Sequence, residues 1–416
     1  MNLLITSATI IDPNSPFHQQ KADILIENGI ITKIGTTISS DHEVFDANGA
    51  YALPGFFDLN CNIGELGYET KEDLETGTKA AAAGGFTGLA LVPNAKPVHS
   101  KTEVEYLVNK AKGNLVEVHP LGTISQKREG KDLAELYDMH LSGAKAFTDG
   151  NHPVQDAGLM ERALLYAQGF DGLIFSYPED TAIAGKAKVH EGVISTMLGM
   201  KGIPSLAEEL MVARDLYLAE YTGSPIHFST ISTKRSIELI REAKKNGLKV
   251  TADVAVHNLT LTDEVLMGFD SQYKVKPPLR TQADVYALLA GVKDGTIDAI
   301  VTQHTPHEVE FKDVEFEIAE FGMIALQTAL PNLLKAGLSL EQIAEKLSVN
   351  PRRILKVEAT SIAEQQKANL VLVDTDAEWT FTKQNNLSKS YNSPYLGQTL
   401  KGKVLLTCNN NQVYKS

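Results

Sequence analysis

Residues 52–62 read Ala-Leu-Pro-Gly-Phe-Phe-Asp-Leu-Asn-Cys-Asn. An apolar run of this length with polar residues at its C-terminal end reads as a buried strand opening into a cleft. A helix-like segment follows at 71–83, then a second apolar run at 87–92. Strand, helix and strand in that order are a βαβ unit, which pairs its strands in parallel. The same texture continues outward. Strands are expected at 115–120, 143–147, 173–176, 225–229, 249–254 and 299–302, and helices at 102–112, 159–166, 206–221, 234–246 and 282–292. With 52–59 and 87–92 that makes eight short strands, so the predicted fold is α/β, a (β/α)8 TIM-type barrel over residues 52–360.

The two ends differ from this middle. Residues 23–27 and 30–34 flank Asn28-Gly29, a hairpin turn signal. Residues 368–374, 402–407 and 412–414 read as strands around an Asn-rich turn. Residues 1–51 and 361–416 are therefore expected to form the two parts of one small composite β-sandwich beside the barrel.

Composition narrows the function. The 416 residues carry 39 basic and 52 acidic side chains, a net charge of −13, with 43% hydrophobic residues. An acidic chain without a basic stripe argues against nucleic acid. Two cysteines, Cys61 and Cys408, are too few for a disulfide framework and fit a reducing cytoplasm. The start, MNLLITSATIID, lacks a secretory signal pattern, and no run approaches the roughly 20 apolar residues that span a bilayer.

In a barrel the chemistry sits at the C-terminal ends of the strands. At the first strand end Asn60 and Asn62 share one face while Cys61 points to the helices. Asparagine is a poor zinc donor, so the pair reads as the lining of a wet cleft. Of eleven histidines only His304 and His307 are close, on a loop marked by Pro306. His227 and His257 lie in or after strands and read as hydrogen-bonded structural residues. His18, His42, His99, His119, His140, His152 and His190 are scattered and expected at the surface. Asp149, Glu179 and Asp180 follow strands, where a lone carboxylate commonly caps a turn. No phosphate loop, nucleophile elbow or Cys/His dyad stands out. Residue types and spacing alone give a barrel with a side sandwich and no evident catalytic constellation.

Longer segments carry a resemblance. PGFFD (54–58), GYETKEDLETG (67–77), residues 80–87, Pro93-Asn94, GMKGIP (199–204), AEE (207–209), STK (232–234), PPLR (277–280), Phe321-Gly322, TALP (328–331) and NSP (392–394) resemble dihydroorotases of the multifunctional-complex type. Those enzymes belong to the amidohydrolase superfamily, and the resembling segments run through nearly the whole chain in the family's order. The resemblance implies a barrel holding zinc at its mouth, composite sandwich strands, and reversible closure of N-carbamoyl-aspartate to dihydroorotate in pyrimidine (UMP) biosynthesis.

The family's functional positions are altered here. The His-x-His after the first strand is Asn60-Cys61-Asn62. The histidine before Cys-Glu-Asp is Tyr177, the one in His-Val-Ser-Thr is Thr230, and the catalytic aspartate before His-Ala-Pro-His is Gln303. Asp149 alone matches a retained metal ligand. The substrate-clamping arginine falls at Gly64 and an asparagine of the pocket at Lys276, whereas Asn94 and His307 are kept. One aspartate is too few donors for zinc, and without metal no bound water is acidified. An uncompensated catalytic carboxylate would be costly in a partly buried mouth, and Gln303 removes that charge. Lys276 is expected to supply a cation, paired with Asp149. Lys145 is a candidate for carbamylation, as in other superfamily branches, but lacks histidine partners.

Three functions are open at this point. The first is a non-catalytic homologue, without cofactor, that serves as scaffold or partner of aspartate carbamoyltransferase and assembles as a homo-oligomer. The second is an active dihydroorotase or related cyclic amidohydrolase with zinc on Asp149, His257, His304 and His307. The third is a binder of a small anion through Lys276, Asn94 and His307.

Overall fold

The computed structural model describes residues 1–93 and 96–416. Strand Phe56–Cys61 pairs in parallel with Phe86–Leu91, which pairs with Glu117–Pro120. A second parallel set joins Ile174–Ser176, Ile226–Phe228, Val250–Ala255 and Ala299–Val301 in that order. Between the two sets the predicted strand at 143–147 is reduced to single bridges from Phe147 to Gly122 and to Ile174. Gly143 enters this segment at φ +119°, and Lys145 is exposed, so the segment meets its neighbours only at its end. The ring closes where Thr302 donates its N–H (3.1 Å) and its hydroxyl to Asp58, and where Asn62 N–H meets His304 O at 2.9 Å. Seven strands and one bridge fill the eight barrel positions.

Alternation along the strands sorts the core. Phe57, Leu59, Ala90, Phe175, Ala255 and Val301 fill the barrel interior. Phe56, Leu89, Leu91, Ile174 and Ile300 point outward to the helices, and Cys61 joins them as expected. The helices begin where the sequence offers caps: Asp73 accepts from Thr76 N–H ahead of Leu74–Ala83, and Thr233 accepts from Ser236 N–H ahead of Lys234–Lys245. Burial of large side chains of this kind is worth roughly 1.5–3 kcal/mol each.

The two terminal segments together build one eight-stranded sheet, as a single composite unit. Leu370–Thr380 pairs antiparallel with Tyr51–Pro54 on one side and Thr399–Asn409 on the other. The run expected as one strand at 52–59 is thus two: Tyr51–Pro54 in this sheet and Phe56–Cys61 in the barrel. They meet at Gly55, where a Cβ would overlap Thr87 and Asn369. Strand period explains how the sheet serves two cores. Leu370 and Leu372 face the sheet's own apolar core, while Val371 and Val373 belong to the barrel's. Among the described residues no helix is long and apolar enough to cross a membrane.

Candidate functional site

The strand ends open onto a cavity of about 330 Å³, near the lower end of small-molecule sites, roughly 300–1,000 Å³. Asn60, Asn62, Tyr177, Ser229, His257 and Gln303 line it, with Gly64, Lys71, Lys276 and His307 nearer the loops. The Asn60 amide nitrogen lies 3.3 Å from Ser229 Oγ and 3.4 Å from Thr230 Oγ1. Gln303 sits in the left-handed region at φ +51° and donates from Nε2 to Lys276 O at 3.0 Å. Burial, with Glu179 and Glu208 nearby, pushes the Tyr177 phenol well above its ordinary range. His257 is buried, and burial drives its imidazole down to about 4, partly offset by the Gln303 amide. Among the described residues neither of its ring nitrogens finds a well-formed hydrogen-bond partner.

One expectation about charge is corrected. Lys276 does not meet Asp149. Its ammonium lies 2.7 Å from Glu179 Oε1. Asp149 is turned from the cavity and accepts N–H bonds from Ile124 (2.8 Å) and Ser125 (3.0 Å) and the Ser125 hydroxyl. Burial raises its carboxyl and the Ser125 bonds lower it in part. Its work is to hold the 124–125 loop, the turn-acceptor use expected of a lone carboxylate after a strand.

The alternative ligand set also fails to assemble. His304 is buried and aimed away from the cavity: Nδ1 accepts the Ala325 N–H (3.1 Å) and Nε2 meets Glu72 at 2.8 Å. Glu72 in turn accepts from the Ser388 hydroxyl and the Lys389 N–H, both at 2.8 Å. His307 does line the cavity, with Nε2 donating to Phe321 O (2.9 Å) and Lys71 Nζ 3.3 Å from Nδ1. Burial brings its imidazole down to about 4. His190, expected at the surface, is buried with Nδ1 3.0 Å from an Arg280 guanidinium nitrogen. Lys145 is exposed, away from the cavity. Asn94 lies outside the described residues. Lys71 and Ser229 were not singled out from the sequence. Lys71 falls inside the resembling segment 67–77, but nothing in its spacing marks it as a cavity residue.

Zinc does not fit these donors. The positions at the cavity floor are three carboxamides (Asn60, Asn62, Gln303), a phenol whose ionisation is suppressed, hydroxyls, and His257 as a single imidazole, which is too few strong donors for zinc. Zinc favours imidazole, thiolate and carboxylate. Among the described residues no three His, Cys, Asp or Glu side chains converge.

Residues 49–236 match the family model described as dihydro-orotase-like. The chain is 44% identical to the dihydroorotase of Acetivibrio thermocellus, with 99% of this chain and 98% of that protein covered. It is 42% identical to the dihydroorotase of Geobacter metallireducens, with 98% of each covered. Among solved structures it is similar to a D-hydantoinase (TM-score 0.83, 22% identity, 99% of this chain and 95% of that one). It is also similar to the L-hydantoinase of Arthrobacter aurescens (TM-score 0.85, 21% identity, 99% and 95%).

Proposed function

The chain belongs to the dihydroorotase-like family, and from that premise we propose that it is a non-catalytic member attached to pyrimidine biosynthesis, acting as scaffold or partner of aspartate carbamoyltransferase. The observation that carries this reading is the cavity floor. Asn60, Asn62, Tyr177, Thr230 and Gln303 stand where the family resemblance implies imidazoles and a catalytic carboxylate. Each replacement is neutral, and together they leave no strong donor set for a divalent ion. The change is coordinated rather than a single lesion. Gln303 is bonded to Lys276 O, and Asn60 lies against Ser229 and Thr230, so the remade floor is hydrogen-bonded within itself. Lys276 and Glu179 supply an ion pair of their own at its edge.

A second reading, an active dihydroorotase, is favoured by the relatives' names at more than 40% identity. Metal analysis of the purified chain and a dihydroorotate hydrolysis assay separate the two. The expected result is substoichiometric zinc and no turnover in either direction. Tightly held zinc with turnover of dihydroorotate overturns the first reading. For the partner, co-expression with aspartate carbamoyltransferase is expected to give a complex. A carbamoyltransferase that assembles and works equally well without this chain removes that role.

A further inference from the structure

Three segments on the mouth side of the barrel pack on one small apolar cluster. Val189, Leu266 and Phe316 form its centre, with Ile194 and Leu198 against it. Phe269 meets Phe316 edge-to-face with centroids 6.4 Å apart. The third segment, residues 309–322, is pinned from behind. Lys274 Nζ reaches the carbonyls of Phe316, Glu317 and Ala319, and Lys312 Nζ those of Glu320 and Gly322. The surface so held is unusually apolar. Val193, Met197, Met267, Phe269, Val314 and Ile318 are all exposed, Val193 at 71% and Ile318 at 67%. A contiguous exposed apolar patch with a polar rim marks an interaction site.

Its rim is acidic. Glu310, Asp313, Glu315, Glu317 and Glu320 are exposed in the third segment, and the segment's one lysine, Lys312, is buried. A second copy of this chain would bring like charges face to face, on a molecule whose net charge is already −13. An anionic bilayer would be repelled in the same way. We propose that residues 193–198, 264–269 and 309–320 form a docking surface for a protein partner with a basic rim around an apolar centre. The proposal rests on the scaffold reading and assigns the face by which the partner is held.

The test uses the full-length chain and the catalytic chain of aspartate carbamoyltransferase from the same organism, with binding measured by calorimetry at low and raised salt. A triple variant, Val193→Ser, Met197→Ser and Ile318→Ser, removes the apolar centre. A second, Glu310→Gln, Glu315→Gln and Glu317→Gln, removes rim charge. Glu378→Lys, on the terminal sheet, is the control. All these side chains are exposed, so melting temperatures should stay near wild type. The first variant should weaken binding by about tenfold or more. The second should weaken it several-fold and flatten its salt dependence, and the control should do neither. Variants that bind as the wild type does overturn the surface while the partner reading stands. A wild-type chain that does not bind overturns the partner reading, and the surface falls with it.

Discussion

At Gly64 a Cβ would overlap the Tyr68 carbonyl oxygen and come within 2.7 Å of the Glu72 carbonyl oxygen. The arginine that the resemblance implies at this position would therefore need a new path for the 64–72 loop. Both carbonyls are backbone, which cannot swing aside as a long side chain would. Gly64→Ala is expected to cost about 3 kcal/mol, as overpacking against rigid neighbours does. Urea unfolding checks it, and an unchanged midpoint would show that the loop has room. That Gly64 stands where the resemblance implies an arginine was legible in the sequence. That the 64–72 backbone leaves no room for a side chain at Gly64 was not, because the path of the loop sets those distances. The same holds for Glu72 and His304, far apart in sequence and 2.8 Å apart in space.

At the scale of the element, the 309–322 segment is held by charges that have no carboxylate partner within ion-pair distance among the described residues. Burial is the first cause that lowers Lys312, to about 7, and Lys274, to about 8. Each lysine repels the other or a lysine beside it, while Asp270, Glu317 and Glu320 pull the other way. In the unfolded chain both titrate near 10.4. Between pH 7 and about 8.5 the unfolded state therefore binds more protons than the folded one, and stability rises with pH. Above that window cysteine thiols begin to titrate in the unfolded chain, at about 8.5, and oppose the trend. Lys312→Met should flatten the rise, read as urea midpoints at pH 7.0 and about 8.3. An equal slope in both proteins would mean that Lys312 does not titrate there. Helices were the most legible elements: the segment expected at 206–221 is Leu206–Thr222, and that at 234–246 is Lys234–Lys245. The strand expected at 143–147 was the least legible, because a run of small residues can occupy a barrel position through one bridging residue.

At the scale of the whole molecule, the eight-position barrel and a sheet from the two ends were readable from alternation and turn signals. The way they share residues was not. Leu370–Thr380 gives alternate side chains to two cores, and the loop after it reaches the cavity wall. Ser388 and Lys389 bond Glu72, and Asn392 Oδ1 accepts the His307 N–H at 3.0 Å. Arg352 works at the opposite end, buried with its guanidinium on Gly55 O (3.0 Å) and the Thr87 hydroxyl (2.8 Å). A chain ended after residue 365 keeps every barrel strand and Arg352, yet loses the strand that pairs with Tyr51–Pro54. It also uncovers the apolar faces that Val371, Val373 and Val404 cover and takes the Ser388 and Lys389 donors from Glu72, leaving it His304. Each large apolar side chain so exposed costs roughly 1.5–3 kcal/mol, and a few such losses approach a domain's net stability of about 5–15 kcal/mol. The truncated chain is therefore expected to show no cooperative thermal transition and to bind hydrophobic dye. If it instead melts cooperatively near the full chain's temperature, the terminal sheet is an accessory to the barrel rather than part of its core.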